Sequence, residues 1–258
     1  MFIFASDPHG TGQPWINLVE SARNKYPTAQ VVFGGDYIDG RPFAQETLEY
    51  IFSIPNAIIL RGNHEDMFIK GILNNDELNY ENWLFNGGKT TIKSFLNRRY
   101  PWHGKEVKRL LLPYAEKMLS MKLFYNTDHI IFVHAGIRLD GNKTDDKFAL
   151  WARQNYWYIN QTNHNFEFAH NNTGKTIITG HTPTCFIEGV YEKGFEIADH
   201  IDRKLTKGEF NHCPVKIIQY KGEPARIFTD GGCNPEVPSN NGNIVILSNK
   251  GEIVETIS

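Results

Sequence analysis

The first sixty residues alternate between short apolar runs and longer segments of mixed polarity. The apolar runs are Phe2 to Ala5, Val31 to Phe33 and Ala57 to Leu60, and the mixed segments are Trp15 to Lys25 and Ala44 to Phe52. Continuous apolar runs of this length are typical of buried parallel strands, and mixed segments between them are typical of crossover helices. The pattern therefore predicts a βαβαβ unit.

Each of these three predicted strands runs into a polar loop that contains glycine. The loops read SDPHG from Ser6, GGDYIDGR from Gly34 and RGNHE from Arg61. Ligands of open α/β sheets bind outside the carboxyl ends of the strands, so we expect the three loops to converge on one crevice.

The remainder of the chain predicts a helical insertion followed by a second sheet. Residues 66–121 have a helical pattern rich in aromatic residues, most of which we expect to pack within the insertion. The alternative for some of them is a place in the lining of a substrate cleft. Apolar runs at Ile130 to His134 and Thr176 to Thr179 predict strands, and the Asn-rich stretch from Asn155 to Lys175 predicts loop and short helix. Four further runs from Val215 to Ile257 predict antiparallel strands. The predicted fold class is α/β, with two sheets flanked by helices in one domain over residues 1–258.

Composition narrows the class of protein without giving a function. Apolar residues make up 40% and charged residues 22% of the chain, as in soluble globular proteins. The net charge of −2 and the lack of a long single-sign run argue against nucleic-acid binding through bulk charge. Three cysteines without zinc-ribbon spacing argue against a disulfide framework. The N-terminal segment has no signal-peptide or membrane-span pattern, so we expect a cytoplasmic protein with no membrane partner.

Potential metal ligands follow five of the predicted strands. Asp7 and His9 stand two apart after the first, and Asp36 projects from the second next to two glycines that allow close backbone approach. Asn63, His134 and His181 follow three other strands. Carboxylate, amide and imidazole donors at several strand ends favour a divalent metal site, whereas a single His or an isolated Asp-x-His pair is more often structural.

Two segments look superficially like nucleotide-binding P-loops. Gly87-Gly88-Lys89-Thr90 and Thr173-Gly174-Lys175-Thr176 carry the end of GxxxxGK[ST], but Trp83 and Ala169 stand where the first glycine is required. These segments therefore do not predict a nucleoside triphosphatase.

Taken in order, the motifs DPHG, GDYIDG, RGNHE, FVHAG and GHT resemble those of the calcineurin-like metallophosphoesterases, specifically the phosphoprotein phosphatase (serine/threonine phosphatase) branch. The later TDGGC, from Thr229 to Cys233, resembles the C-terminal strand end of bacterial and phage-type members. The resemblance implies a sandwich of two mixed sheets flanked by helices (αββα). It also implies a dinuclear centre of two divalent ions, with Mn²⁺ favoured over Fe or Zn²⁺.

Carried over position by position, the resemblance implies a role for ten residues. The first metal would bind Asp7, His9 and Asp36, and the second Asp36, Asn63, His134 and His181. A hydroxide bridging the two ions would attack the phosphorus directly, without a phosphoenzyme. His64 would protonate the leaving oxygen, with Asp39 orienting its imidazole, and Arg61 and Arg153 would bind the phosphate.

One departure concerns the basic residue after the second motif. This branch reads Asp-Arg-Gly there, whereas the chain reads Asp39-Gly40-Arg41, so Arg41 is either a pocket residue or a surface charge at a helix start.

The expected function is hydrolysis of phosphomonoesters on a phosphorylated protein or a small phosphoester. The alternative is a symmetrical dinucleoside tetraphosphate hydrolase, which shares the GNHE and HAG motifs. A catalytically inactive scaffold is disfavoured because all six ligands are present.

Overall fold

The computed structural model describes residues 1–74, 76–96, 101–102, 104–160, 166–187, 190–192, 195–198, 213–233 and 239–258. Its helices are α1 (Gln13–Lys25), α2 (Ala44–Ser53), α3 (Asn63–Leu73), α4 (Glu77–Trp83), α5 (Lys89–Leu96), α6 (Lys105–Met118), α7 (Asp146–Trp151) and α8 (Gln154–Trp157). A π-helical turn covers Leu84–Gly88 and a 3₁₀ turn covers Thr184–Phe186.

The strands, in chain order, are β1 (Phe2–Ala5), β2 (Gln30–Phe33), β3 (Ile58–Ile59), β4 (Phe124–Asn126), β5 (Ile130–Val133), β6 (Tyr158–Asn160), β7 (Phe166–Phe168), β8 (Thr176–Thr179), β9 (Val190–Glu192), β10 (Phe195–Ala198), β11 (Lys216–Ile218), β12 (Arg226–Phe228), β13 (Ile244–Leu247) and β14 (Ile253–Ile257).

The first large sheet has the strand order β14-β13-β1-β2-β3. The βαβαβ prediction is confirmed here, because β1, β2 and β3 are parallel and α1 and α2 connect them. The C-terminal pair β13 and β14 adds two antiparallel strands beside β1, which makes the sheet mixed.

The second large sheet has the order β11-β12-β8-β5-β4 and is also mixed. It corrects one expectation, because β12 is parallel to β8, with Ile227 beside Ile178, and antiparallel only to β11. The stretch from Asn155 to Lys175, expected to be loop and short helix, also contains β6 and β7, which join β10 and β9 in a third, four-stranded sheet. Short strands of this kind escape a pattern analysis because three residues show no clear period.

Three apolar layers give the sandwich its αββα arrangement. Successive residues of a strand face opposite sides, so the central strands of both sheets contribute to two layers each. Phe4, Phe132, Ile178 and Val245 lie in the layer between the sheets. Ile3 and Phe33 face the helices of the first half, and Ile177 and Phe228 face the elements from α7 to β7.

Helix α1 shows how sequence fixes one of the outer layers. Trp15, Ile16, Val19 and Ala22 are buried at helical spacing, and the Trp15 ring lies 5.7 Å from that of Phe33. Each large apolar side chain buried in this way contributes about 1.5–3 kcal/mol relative to exposure. The insertion packs on the same layer through α3 to α6. No helix in the described ranges is both long and apolar enough to cross a membrane.

Candidate metal centre

Six strand ends meet at one edge of the sandwich. The parallel strands β1, β2 and β3 of the first sheet and β5, β8 and β12 of the second all end there. The residues that follow them are Asp7 with His9, Asp36, Asn63, His134, His181 and Asp230. A pocket of about 270 Å³ opens at this edge, and its lining includes His9, Asp36, Asn63, His64, Arg153, His181 and Asp230.

The backbone at these strand ends is unusual. Within the described ranges, six non-glycine residues have a positive φ, and five of them are Asp7, His9, Asp36, Asp39 and His181. Such conformations cost on the order of 1–3 kcal/mol each and persist where neighbouring structure enforces them. Here the loops hold each other, since the N–H of Asp7 donates to Gly35 O at 3.0 Å and the N–H of His9 donates to Asp36 O at 3.0 Å.

Two glycines permit the close approach of these loops. A Cβ at Gly35, whose φ is +102°, would lie 2.6 Å from His134 Nδ1 and 2.7 Å from the Gly62 nitrogen. A Cβ at Gly180 would lie 1.9 Å from Asp7 Oδ2. Any larger residue at either position would therefore displace a site residue.

One group of ligand candidates forms around His134. Its Nε2 lies 3.0 Å from Asn63 Oδ1, 3.1 Å from His181 Nδ1 and 3.4 Å from Asp36 Oδ1. Its Nδ1 lies 2.8 Å from the Gly34 carbonyl, which accepts the Nδ1 proton and leaves Nε2 facing the other donors. Burial alone would lower the pKa of His134, but Asp36 raises it to about 9. The surroundings of His134 Nε2 therefore favour a positive charge. Either a proton or a metal ion can supply that charge.

A second group forms around His9 and shares Asp36 with the first. His9 Nε2 lies 3.8 Å and His64 Nε2 3.9 Å from Asp36 Oδ2, and ligand atoms of these three residues lie within 4.8 Å of one another. The structure thus places His64, rather than Asp7, in this group. Asp7 lies beside it, with Oδ1 accepting the N–H of His181 at 2.9 Å.

Asp36 is the shared residue of the two groups. Burial alone would raise its pKa, but His134 and His64 hold that pKa well below the usual range, so the carboxylate is charged. Burial lowers the pKa of His9 to about 4, with His64 adding to the effect, so His9 is neutral and able to bind a metal.

The donor set fits two divalent ions. Asp7 Oδ2 and His181 Nε2 are buried and have no hydrogen-bond partner among the described residues. Unpaired buried polar atoms cost free energy that a bound cation would offset. Carboxylate, amide and imidazole donors suit Mn²⁺, Fe and Zn²⁺. The structure therefore brings the six predicted ligands together, and their division between the two ions stays a prediction.

His64 and Asp39 form a close pair at the side of the pocket. His64 Nδ1 lies 2.7 Å from Asp39 Oδ2. The other oxygen of Asp39 accepts hydrogen bonds from Trp83 Nε1 at 2.9 Å and from the Thr91 hydroxyl at 2.6 Å. Burial alone would lower the pKa of His64, but Asp36 and Asp39 raise it to about 9. These two carboxylates therefore favour the protonated form of His64 at neutral pH.

Arg153, Arg61 and Arg41, the three arginines considered for phosphate binding, lie in different environments. Arg153 lines the pocket and donates to the Thr182 hydroxyl at 3.0 Å, next to His181. Arg61 donates to the Leu119 carbonyl at 3.1 Å and lies 3.6 Å from Asp66, and it is not among the described pocket-lining residues.

Arg41 fits neither of its two expected roles. It is 7% exposed, so it is not a surface charge, and it is not among the described pocket-lining residues. It donates to the Thr11 hydroxyl at 3.1 Å and to the Asn240 carbonyl at 2.7 Å. In this chain, where Gly40 precedes Arg41, the arginine thus joins the loop that contains Thr11 to the segment that contains Asn240.

Two buried acids complete the site and were missed by the sequence analysis. Glu65 accepts the N–H groups of Asp36 and Gly62, both at 2.9 Å, and that of Tyr37 at 2.8 Å, so it fixes the second loop to the third. Glu65 is the third residue of α3, a position from which a glutamate can cap the start of a helix. This position could have predicted its structural role from the sequence.

Asp230 follows β12, is 2% exposed and accepts the N–H of Gly232 at 2.8 Å. Burial, with a contribution from Asp36, raises its pKa to about 7. Asp230 is part of the TDGGC motif noted in the sequence. The tail was expected to form antiparallel strands, which gave no reason to place Asp230 at the edge where the parallel strands end.

Comparison with known proteins gives the family. The model of the calcineurin-like phosphoesterases matches residues 1–185. The chain belongs to the calcineurin-like phosphoesterase family. It is thereby a metallophosphoesterase, and the predicted family and fold are confirmed. The family uses a dinuclear divalent metal centre, which agrees with the His and Asp groups at the strand ends. The bacterial or phage type stays a prediction.

Solved structures share the fold at low sequence identity. A protein described as a candidate diadenosine tetraphosphatase is 14% identical with a TM-score of 0.51, over 99% of this chain and 92% of that one. A protein serine/threonine phosphatase from Saccharomyces cerevisiae, with similarity to human phosphatase PP5, is 14% identical with a TM-score of 0.50, over 99% and 78%. None of the curated proteins compared with the chain matches it.

Proposed function

We propose that the chain is a metal-dependent phosphatase of the serine/threonine protein phosphatase type, which hydrolyses phosphomonoesters. The observation that carries this proposal is the 2.7 Å contact between His64 and the buried carboxylate of Asp39, beside the shared ligand Asp36. A protonated imidazole at that position can supply the proton that an alkoxide leaving group needs. A phosphomonoester of an alcohol requires such an acid, because its leaving oxygen is strongly basic.

The contacts support the remaining proposed roles. Asp7, His9, Asp36, Asn63, His134 and His181 would hold two divalent ions, and those ions would lower the pKa of an attacking water and neutralise charge on the phosphate. Arg153 would bind two phosphate oxygens with its guanidinium, since it reaches the pocket beside His181. We retain Arg61 as a second phosphate ligand only in a rotamer different from the one that contacts Leu119.

A second candidate is a dinucleoside tetraphosphate hydrolase. The observation that favours it is Trp151, which is 37% exposed with its ring 6.4 Å from that of His181. An exposed indole at this distance from the metal ligands can stack on a nucleobase while the polyphosphate reaches the ions. The leaving group would then be a nucleotide phosphate, which needs less help from an acid.

The first experiment is steady-state hydrolysis of p-nitrophenyl phosphate by metal-stripped protein, with Mn²⁺, Fe²⁺ or Zn²⁺ added back. We expect turnover that requires metal and is lost in Asp36→Asn. If folded wild-type protein stays inactive with all three ions, the monoesterase proposal is wrong.

A second experiment separates the two candidates. His64→Ala is compared with wild type on a phosphoserine peptide and on diadenosine tetraphosphate, and Trp151→Ala is measured on the same two substrates. A phosphatase predicts a much larger loss for His64→Ala on the peptide and little effect of Trp151→Ala on it. A higher kcat/KM for the dinucleotide, which falls selectively in Trp151→Ala, would favour the second candidate.

A further inference from the structure

Two of the three cysteines meet beside the metal centre. Cys185 lies in the 3₁₀ turn that follows the His181 loop, and Cys213 lies shortly before β11. Their side chains are in hydrogen-bonding contact, although they are far apart in sequence. Neither forms a disulfide in the described structure; Cys185 is partly exposed and Cys213 is buried.

The two residues that follow β12, Thr229 and Asp230, help to fix the backbone near both cysteines. Asn243 donates from Nδ2 to the carbonyls of Cys213 at 2.8 Å and of Thr229 at 3.0 Å. The N–H of Thr184, next to Cys185, donates to the carbonyl of Asp230 at 3.1 Å. Since Thr229 and Asp230 are adjacent, one short segment anchors the backbone beside both cysteines.

The surroundings of Cys213 favour a reactive sulfur. Its sulfur accepts hydrogen bonds from the thiol and the backbone N–H of Cys185, and it contacts the Thr184 side chain. The contact with the Cys185 thiol lowers the pKa of Cys213, against the opposite effects of burial and of Asp230. The thiolate is the form that attacks an oxidant. Cys233 differs, because burial raises its pKa to about 12.

We propose that Cys185 and Cys213 are a site of reversible oxidation by peroxide, at which the two thiols form a disulfide. The Cys213 thiolate attacks one oxygen of hydrogen peroxide, which breaks the O–O bond and gives a sulfenic acid and hydroxide. The Cys185 thiol then attacks that sulfur, an S–S bond forms, and water leaves. In total two thiols and one peroxide give one disulfide and two waters. A thiol reductant reverses the reaction.

The disulfide would tie the turn after the His181 loop to the segment before β11. The same turn follows Thr182, which accepts the hydrogen bond from Arg153. Oxidation would thereby add a covalent constraint close to a predicted metal ligand and a predicted phosphate ligand.

The test treats the purified 258-residue chain with one equivalent of hydrogen peroxide and digests it with trypsin without reduction. The chain has several Lys and Arg between the two cysteines, including Lys193, Arg203 and Lys207, so trypsin separates them unless a disulfide links the peptides. We expect a linked Cys185–Cys213 peptide, loss of two of the three thiols, and recovery of all three with dithiothreitol.

Variants provide the controls. Cys233→Ser is expected to keep the linked peptide, whereas Cys185→Ser and Cys213→Ser each remove it, with thermal melting used to confirm that the variants fold. Two variants are made because either one could fail to fold. The proposal is overturned if Cys233 is oxidised as fast as the other two in folded wild-type protein. It is also overturned if peroxide gives only sulfinic acid or links between separate chains.

Discussion

Replacement of Asp39 by Asn tests the proposed acid most directly. Asp39 is fully buried, and Asn keeps its shape but removes the charge. Trp83 and Thr91 both donate to Oδ1, so the amide oxygen must stay there and the amide nitrogen then faces His64 Nδ1. An NH₂ group in that place donates to Nδ1 and stabilises the neutral imidazole. The neutral ring is a poor acid.

The magnitude follows from the role of the lost proton. General acid catalysis contributes about 10²–10⁴-fold, so kcat on a phosphoserine peptide is expected to fall by about that factor. On p-nitrophenyl phosphate, whose leaving group needs little protonation, the fall is expected to be about 10-fold or less. The difference between the two substrates is the quantity to measure.

The pH dependence has a defined sign. The active imidazolium exists below the His64 pKa of about 9, which Asp36 and Asp39 maintain against burial. Peptide hydrolysis by wild type should therefore persist at neutral pH and decline as the pH rises through about 9. In Asp39→Asn the pKa falls, so the alkaline decline is expected at a lower pH.

The assay is kcat against pH for both substrates, in wild type, Asp39→Asn, His64→Ala and the double variant. If Asp39 acts through His64, the double variant should be no slower than His64→Ala alone. Equal losses on both substrates, or losses that multiply in the double variant, would refute the reasoning.

Three further outcomes are expected. Asp36→Asn removes the predicted shared ligand, worth several kcal/mol of transition-state stabilisation, so kcat should fall about 10³-fold and bound metal per chain, measured by elemental analysis, should decrease. Gly180→Ala places a Cβ 1.9 Å from Asp7 Oδ2, so Asp7 must move, and metal affinity measured by titration should fall about 10–100-fold. Trp83→Phe removes a buried donor to Asp39 and should lower stability by about 1–3 kcal/mol, read from denaturant unfolding.

The sequence allowed the first half of the site to be predicted because that half is local. Asp7, Asp36 and Asn63 each follow an apolar run within a few residues, and parallel pairing of β1, β2 and β3 places their ends together. The same rule applies to His134 and His181 after β5 and β8. A strand and the polar residue after it are adjacent in the chain, so a local pattern is enough to identify each of these residues as a candidate.

Contacts that depend on tertiary packing could not be predicted in this way. Asp230 belongs to the same edge only because β12 pairs in parallel with β8, whereas the tail was expected to form antiparallel strands. Trp83 and Thr91, which donate to Asp39, lie in the insertion. The aromatic pattern there predicted packing or a substrate cleft and gave no contact with Asp39. The contact of Arg41 with Asn240 likewise joins residues that are distant in sequence.

The ligand candidates come from both large sheets, with Asp36 on the first and His134 and His181 on the second. An unfolded chain cannot gather these donors, so bound ions would act by mass action on the folding equilibrium. A ligand at 100 times its Kd adds about 2.7 kcal/mol of stability per site. For a chain of this size that corresponds to about 5–11 °C in Tm. Metal supply would then determine how much folded protein a cell keeps, as well as how fast that protein works.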